Sequence, residues 1–267
     1  MKSKINFKIA FLAIVCFSVV PFTLAKSQKK QSVRKPSVSK NMVQNSVPDD
    51  VLPKDVVVLD KEVPVLIPQK MGGKFGYVNQ SGKFVIAPNY HIALFFGEDC
   101  NLIYSPNEIA KKYGAKHYAT VEKGGISYRI NMSGKVVYTY KPADLGVCKA
   151  EYKKSRFRAY RLNGKYGVIE EGRFVNPSDK NQYTIYPTYD FLFVMESDDV
   201  TNPMIIVGQN DRFGIVDVKN QIVIPIEYKD IKRNYSWKLG HMFEVTDDDA
   251  NYFYVDIHNK AYRSGKN

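Results

Sequence analysis

Lys74-Phe75-Gly76-Tyr77-Val78-Asn79 returns as Lys165-Tyr166-Gly167-Val168-Ile169-Glu170 and again as Arg212-Phe213-Gly214-Ile215-Val216-Asp217. Each copy reads basic, aromatic, glycine, two apolar residues, one polar residue. Downstream of the first, Ser81-Gly82-Lys83 leads into Phe84-Val85-Ile86-Ala87-Pro88-Asn89-Tyr90. Downstream of the last, Asn220-Gln221 leads into Ile222-Val223-Ile224-Pro225-Ile226-Glu227-Tyr228. The middle copy reaches Tyr186-Pro187-Thr188-Tyr189 after an insertion at about 175–182. Two degenerate copies, Ser127 to Val137 and Tyr252 to Tyr262, fill the gaps. With the hexad glycine or its equivalent as register, the copies sit at 76, 128, 167, 214 and 253, and intervals of this size are the mark of a repeat architecture.

Within a unit the pattern reads as three strands joined by tight turns. Phe157 to Leu162, then Asn163-Gly164, then the hexad is the strongest short-range signal for a hairpin. Alternation puts Phe213 and Ile215 on one face and Val216 and Val218 on the other. A small meander with two apolar faces cannot cover itself, so neighbouring units must stack. The fold class expected is all-β: about five tandem three-stranded antiparallel meanders, in curved or propeller-like stacking. The pairs Phe75-Gly76, Tyr166-Gly167 and Phe213-Gly214 read as a packing device, because a glycine inside a strand marks a bulge or the close approach of a backbone or ring. One helix is expected at about 106–113, from the capping box Ser105-Pro106-Asn107-Glu108 to Gly114.

These hexads, each followed by a polar turn, an apolar strand and Pro-x-Tyr or Pro-x-x-Tyr, resemble the WG-repeat (KWG-repeat) proteins of bacteria. The family's Trp is replaced here by Phe75, Tyr166 and Phe213. The resemblance implies an exported or surface-associated β-repeat protein with a binding or structural role, and it brings no catalytic residues with it.

Charge narrows the partner. The chain has 39 Lys+Arg against 27 Asp+Glu, yet ten of the cations and only two of the acids lie in residues 1–54. Most of the basicity therefore belongs to a leader and a tail, which argues against a nucleic-acid groove. Residues 1–25 read as a secretory signal peptide, with Lys2, Lys4 and Lys8, an apolar run from Ile9, and Thr23-Leu24-Ala25. Residues 26–54 read as a disordered basic linker, and 55–267 as the β domain. Export places the mature chain in the periplasm or outside the cell, with no stable membrane span after cleavage. There Cys100 and Cys148 are a candidate disulfide.

The common catalytic signatures are missing: no nucleophile elbow, P-loop, dinucleotide fingerprint or zinc helix occurs. Neither a metal nor a cofactor is expected. Asp247, Asp249 and Asn251 begin like a calcium loop, but Tyr252 and His258 occupy the positions that need Gly and Glu. His91 with Glu98, Asp99 and Cys100 is only a loose ligand set. The candidate binding residues are the cations of a basic stretch, Lys153, Lys154, Arg156, Arg158 and Arg161, with Tyr235 and Trp237 as an aromatic platform. Against them stands protection of an edge strand by charge. The function expected is that of a non-enzymatic exported module binding an unknown protein or an anionic envelope component. The alternative is a cell-wall or polysaccharide binding protein, or a hydrolase whose carboxylates have no local signature.

Overall fold

The structure is a computed structural model that describes residues 56, 58–149, 153 and 155–264. The expected signal peptide and linker, and Lys154, lie outside the described residues. Five small antiparallel sheets follow one another along the chain, one per repeat unit. Unit one holds β1 (Leu66–Met71), β2 (Lys74–Asn79) and β3 (Phe84–Tyr90). Unit two holds β4 (Ile92–Phe96), β5 (Ala119–Lys123), β6 (Ile126–Ile130) and β7 (Val136–Thr139). Unit three holds β8 (Phe157–Leu162), β9 (Lys165–Glu170) and β10 (Ile185–Tyr189). Unit four holds β11 (Phe191–Val194), β12 (Ile205–Gln209), β13 (Arg212–Val216) and β14 (Ile222–Tyr228). Unit five holds β15 (Asp230–Ile231), β16 (Phe243–Thr246), β17 (Tyr252–Val255) and β18 (Ala261–Tyr262). Three sheets thus carry a fourth strand that the three-strand expectation lacks.

Local chemistry fixes the turns. The hairpins entering the hexad in units one to four are two-residue turns, Gly72-Gly73, Gly124-Gly125, Asn163-Gly164 and Asn210-Asp211, with positive φ at both positions. The turn after the hexad is a second shared device. The side-chain oxygens of Asn79, Asn131, Asp217 and Asp256 accept from the backbone N–H two and four residues on, at 2.8–3.2 Å. Each turn then places Gly82, Gly134, Asn220 or Asn259 at positive φ.

Both faces of the units are used, as the alternation requires. Val168 and Ile185 of unit three pack with Ile205, Val207 and Val216 of unit four. Ile206 and Ile215 of unit four pack on the other face with Phe243, Val245 and Phe253 of unit five. Unit five then meets unit one, Tyr254 and Tyr262 lying with Ile67 and Val78. Unit one meets unit two through Leu66 and Tyr77 with Val121 and Ile130. The packing order is therefore three, four, five, one, two, and among the described residues no apolar cluster joins two to three.

The two open ends are covered by the segments that break the repeat period. Ile169, on the outer face of unit three, packs with Val175 and Tyr183 of its own insertion. On the outer face of unit two, the buried Arg129 donates to the carbonyls of Gly97, Tyr113 and Ala115 and to Thr120 Oγ1, at 2.7–3.0 Å, so its guanidinium holds down the 97–118 segment. Two short helices lie in that segment, α1 (Cys100–Ile103) and α2 (Glu108–Lys111). The helix expected at 106–113 thus starts later than its capping box implies. Ser105 Oγ is spent on a local turn with the Asn107 N–H, and Asn107 caps α2 instead. The sulfurs of Cys100 and Cys148 are within bonding distance and their Cα atoms are 5.2 Å apart, which meets the geometry of a disulfide.

The hexad glycines serve the connection between units. Opposite Gly76, Gly167 and Gly214 the following strand bulges, so that three residues face one: Tyr77 pairs Ile86 while Phe75 pairs Tyr90, and Ile215 pairs Ile224 while Phe213 pairs Tyr228. A Cβ on these glycines would meet the carbonyl oxygens of Ile86, Ile185 and Ile224 at 2.3, 2.3 and 2.6 Å. It is backbone, not a ring, that the bare position admits. After the bulge one residue, His91, Asp190 or Lys229, separates β3, β10 and β14 from the first strand of the next unit. The tyrosine ending the bulged strand then reaches across the joint. Tyr189 donates to Asn220 Oδ1 at 2.7 Å and Tyr228 to Asn259 Oδ1 at 2.6 Å.

Candidate functional site

Because packing and the two end segments use up the sheet faces, the surfaces left are strand edges, hairpin tips and the clefts between units. A groove of about 720 Å³ lies where unit five meets unit one, lined by Gln69, Lys70, Phe75, Lys232, Glu244, Tyr252, Tyr254 and Arg263. One wall is β1, the edge strand of its sheet. The other is β17, whose first two residues run past the end of β18. There Gln69 Nε2 donates to the Lys70 carbonyl at 3.2 Å and approaches the Tyr252 carbonyl at 3.5 Å. Gln69 is 7% exposed, and its Oε1 is buried with no donor.

Charge and aromatic rings alternate around this groove. The Lys232 ammonium lies 3.8 Å from the Tyr252 ring centre, the Lys70 ammonium 5.6 Å from that of Phe75, and the Arg263 guanidinium 4.2 Å from that of Phe253. Arg263 also pairs with Asp247 at 3.1 Å. Glu244 accepts from Asn234 Nδ2 at 2.6 Å and from the Tyr254 hydroxyl. Burial pushes the Glu244 carboxyl above its ordinary range, against the pull of Asn234, Lys232 and Lys70. Burial and a bond to Asp230 push the Tyr252 hydroxyl up to about 12. The site can bind, and its one buried acid is already held by an amide and a phenol.

The basic stretch sits elsewhere. β8, which carries Arg156 just before it and Arg158 and Arg161 within it, is an edge strand of its sheet. Arg156 bonds Glu170 at 3.2 Å, Arg158 lies 3.6 Å from Glu171, and Arg161 stacks over Tyr166. The acids that answer these cations come from across the hairpin, so a count over 149–165 misses them. Lys153 reaches the Asp198 carbonyl at 3.5 Å. Trp237, in α3 (Ser236–Gly240), is no open platform: its ring stacks on Phe243 at 4.9 Å and on His241 at 5.2 Å, leaving only Tyr235 exposed.

The looser ligand sets come apart. His91 faces Lys74 and the Gly124 N–H, Asp99 caps α1, and Cys100 is taken by Cys148. Asp248, outside the calcium pattern, is the residue that organises the 247–251 loop, accepting from Thr246, Ala250 and Asn251. Among the described residues no three His, Cys, Asp or Glu side chains are placed to hold a metal ion. No described helix is long and apolar enough to cross a membrane.

Against known families, the sequence model of the WG-containing repeat matches residues 75–105 and 213–236. Two stretches of the chain are thus similar to the WG repeat. Both matches run from the hexad through the bulged strand into the next unit, so the WG repeat as matched is the connecting device. Unit three has the same geometry at 165–189, where the insertion interrupts the run. No curated protein matches the chain.

Two features escape a reading of the sequence. The Asx turns at Asn79, Asn131, Asp217 and Asp256 had a signal, the polar residue closing each hexad. The groove had none, since its walls come from the first hairpin and the last unit.

Proposed function

We propose that this chain is an exported, non-catalytic repeat module that holds a partner protein or an anionic envelope component, without cofactor, metal or nucleic acid. The observation that carries the reading is the groove between units five and one. It offers cations and rings around a floor where the buried acid is engaged by Asn234 and Tyr254, an arrangement suited to holding a ligand rather than to moving protons. Further support comes from the use of both sheet faces in packing, which leaves surface to present and little interior to enclose a substrate. The WG repeats and the secretory-type leader agree with it.

The test is capture from envelope fractions by the full mature chain, beside two charge-reversed forms. One carries Lys70→Glu and Lys232→Glu, the other Lys153→Glu, Lys154→Glu, Arg156→Glu and Arg158→Glu. A partner held by the parent and lost with either variant supports a binding module and says which surface is the contact. Release of reducing ends from cell-wall glycan or polysaccharide by the purified chain would overturn it in favour of a hydrolase.

A further inference from the structure

Resting on that reading, we propose that the groove between units five and one takes an extended acidic stretch of polypeptide, which adds as a strand along its open edges. Three independent features point there. First, the groove runs between two strand edges that have no strand partner among the described residues, β1, where Pro68 brings no N–H, and the part of β17 beyond β18, and backbone edges of this kind pair with added strands. Second, the gap is bridged by a side chain standing in for a backbone. Gln69 Nε2 is shared between the Lys70 carbonyl at 3.2 Å and the Tyr252 carbonyl at 3.5 Å, while its own buried Oε1 has no donor among the described residues, a cost that an incoming N–H would remove. Third, Lys70 and Lys232 line the walls with no carboxylate partner closer than Glu244, while Arg263 is paired with Asp247, so the two lysines are the charges that seek an acidic ligand.

The same charge argues against the chain's own leading segment as occupant, since residues 1–54 hold ten cations and two acids. It favours a peptide over an acidic glycan as well. Tyr252, Phe75 and Phe253 each already carry a cation, from Lys232, Lys70 and Arg263, over the ring, which a stacking sugar would have to displace. What remains available is backbone and cationic charge.

The probe is a fluorescein-labelled peptide of alternating Glu and Thr, read by anisotropy with the full mature chain. Saturable binding is expected, weakened at least about tenfold by Lys70→Gln with Lys232→Gln. It should change by less than about twofold with Lys153→Gln and Arg156→Gln, an equal change of charge outside the groove. N-methylation at every second residue along one edge of the peptide should abolish binding, because it removes the strand-pairing donors. Equal weakening by the two lysine and arginine pairs would overturn the groove, and binding indifferent to N-methylation would overturn strand addition. An acidic polysaccharide that binds where the peptide does not would overturn the ligand class. None of these failures touches the binding-module reading, which the envelope capture reports by whichever surface is used.

Discussion

Units one, three and four share at the third position of the hexad a residue that units two and five lack. The first group has Gly76, Gly167 and Gly214 beneath a bulged strand. The second has Tyr128 and Phe253, with Tyr128 and Arg129 in regular register opposite Thr139 and Tyr138, a one-residue shift only before Ile130, and β17 and β18 in regular register. By sequence the second group looks degraded. By structure it comprises the two units with no described joint after them: unit two is followed by a segment of some seventeen residues before β8, and unit five is the last of the described units. The glycine marks a joint, and where there is no joint a side chain takes its place.

The comparison can be attacked first at its most dependent end. Unit two has no joint to hold its outer face, and it uses Arg129 and the Cys100–Cys148 pair instead. Replacing both cysteines with alanine should cost about 4 kcal/mol in urea unfolding, from the loop the bridge closes. A change below about 1 kcal/mol would mean that unit two stands without its strap.

At the joints, Gly76→Ala and Gly167→Ala should each cost about 3 kcal/mol, because the new methyl meets strand backbone that cannot yield without undoing the bulge. The hydroxyls that cross the joints come next. Tyr189→Phe and Tyr228→Phe should each lose about 1 kcal/mol in the same assay. Tyr90→Phe should lose less, since Gly134 stands where Asn220 and Asn259 receive the other two. Equal losses at all three would show that the bonds across the joints contribute little. A smaller effect of opposite sign is expected at Asp211, which sits at φ 56°; Asp211→Gly should gain about 0.5 kcal/mol.

The smallest effect concerns pH and the groove. Burial raises the Glu244 carboxyl, so the folded chain binds that proton more readily than the unfolded one. The stability this provides is present in acid and lost as pH rises through the folded value. Glu244→Gln should therefore match the parent near about pH 4 and exceed it in thermal midpoint at neutral pH. A gap that widens on acidification would contradict the assignment.

Much of the fold was legible because its signals are local. Asn163-Gly164 fixed a hairpin, alternation through Phe213 to Val218 announced two covered faces, and Gly214 announced a bulge or a close approach. The order of packing was not legible, because no residue in β1 or β17 records that Ile67 will meet Tyr254. The insertions cover the ends of the row, a role visible only once the ends exist. For the site, the basic stretch drew attention by its density. Its partners Glu170 and Glu171 lay across a turn, and the groove residues were scattered from Gln69 to Arg263.

The central claim is that the hexad glycine exists to pass the chain from one unit to the next. Amide hydrogen exchange on Gly214→Ala, beside Gly97→Ala as a glycine with room for a methyl, tests it most directly. The account predicts that Gly214→Ala frees the amides at the joint after unit four, Lys229 and its partners in β15 and β16, ahead of those in β12 and β13, while Gly97→Ala leaves them protected. Protection lost evenly across unit four, or retained at Lys229, would contradict it.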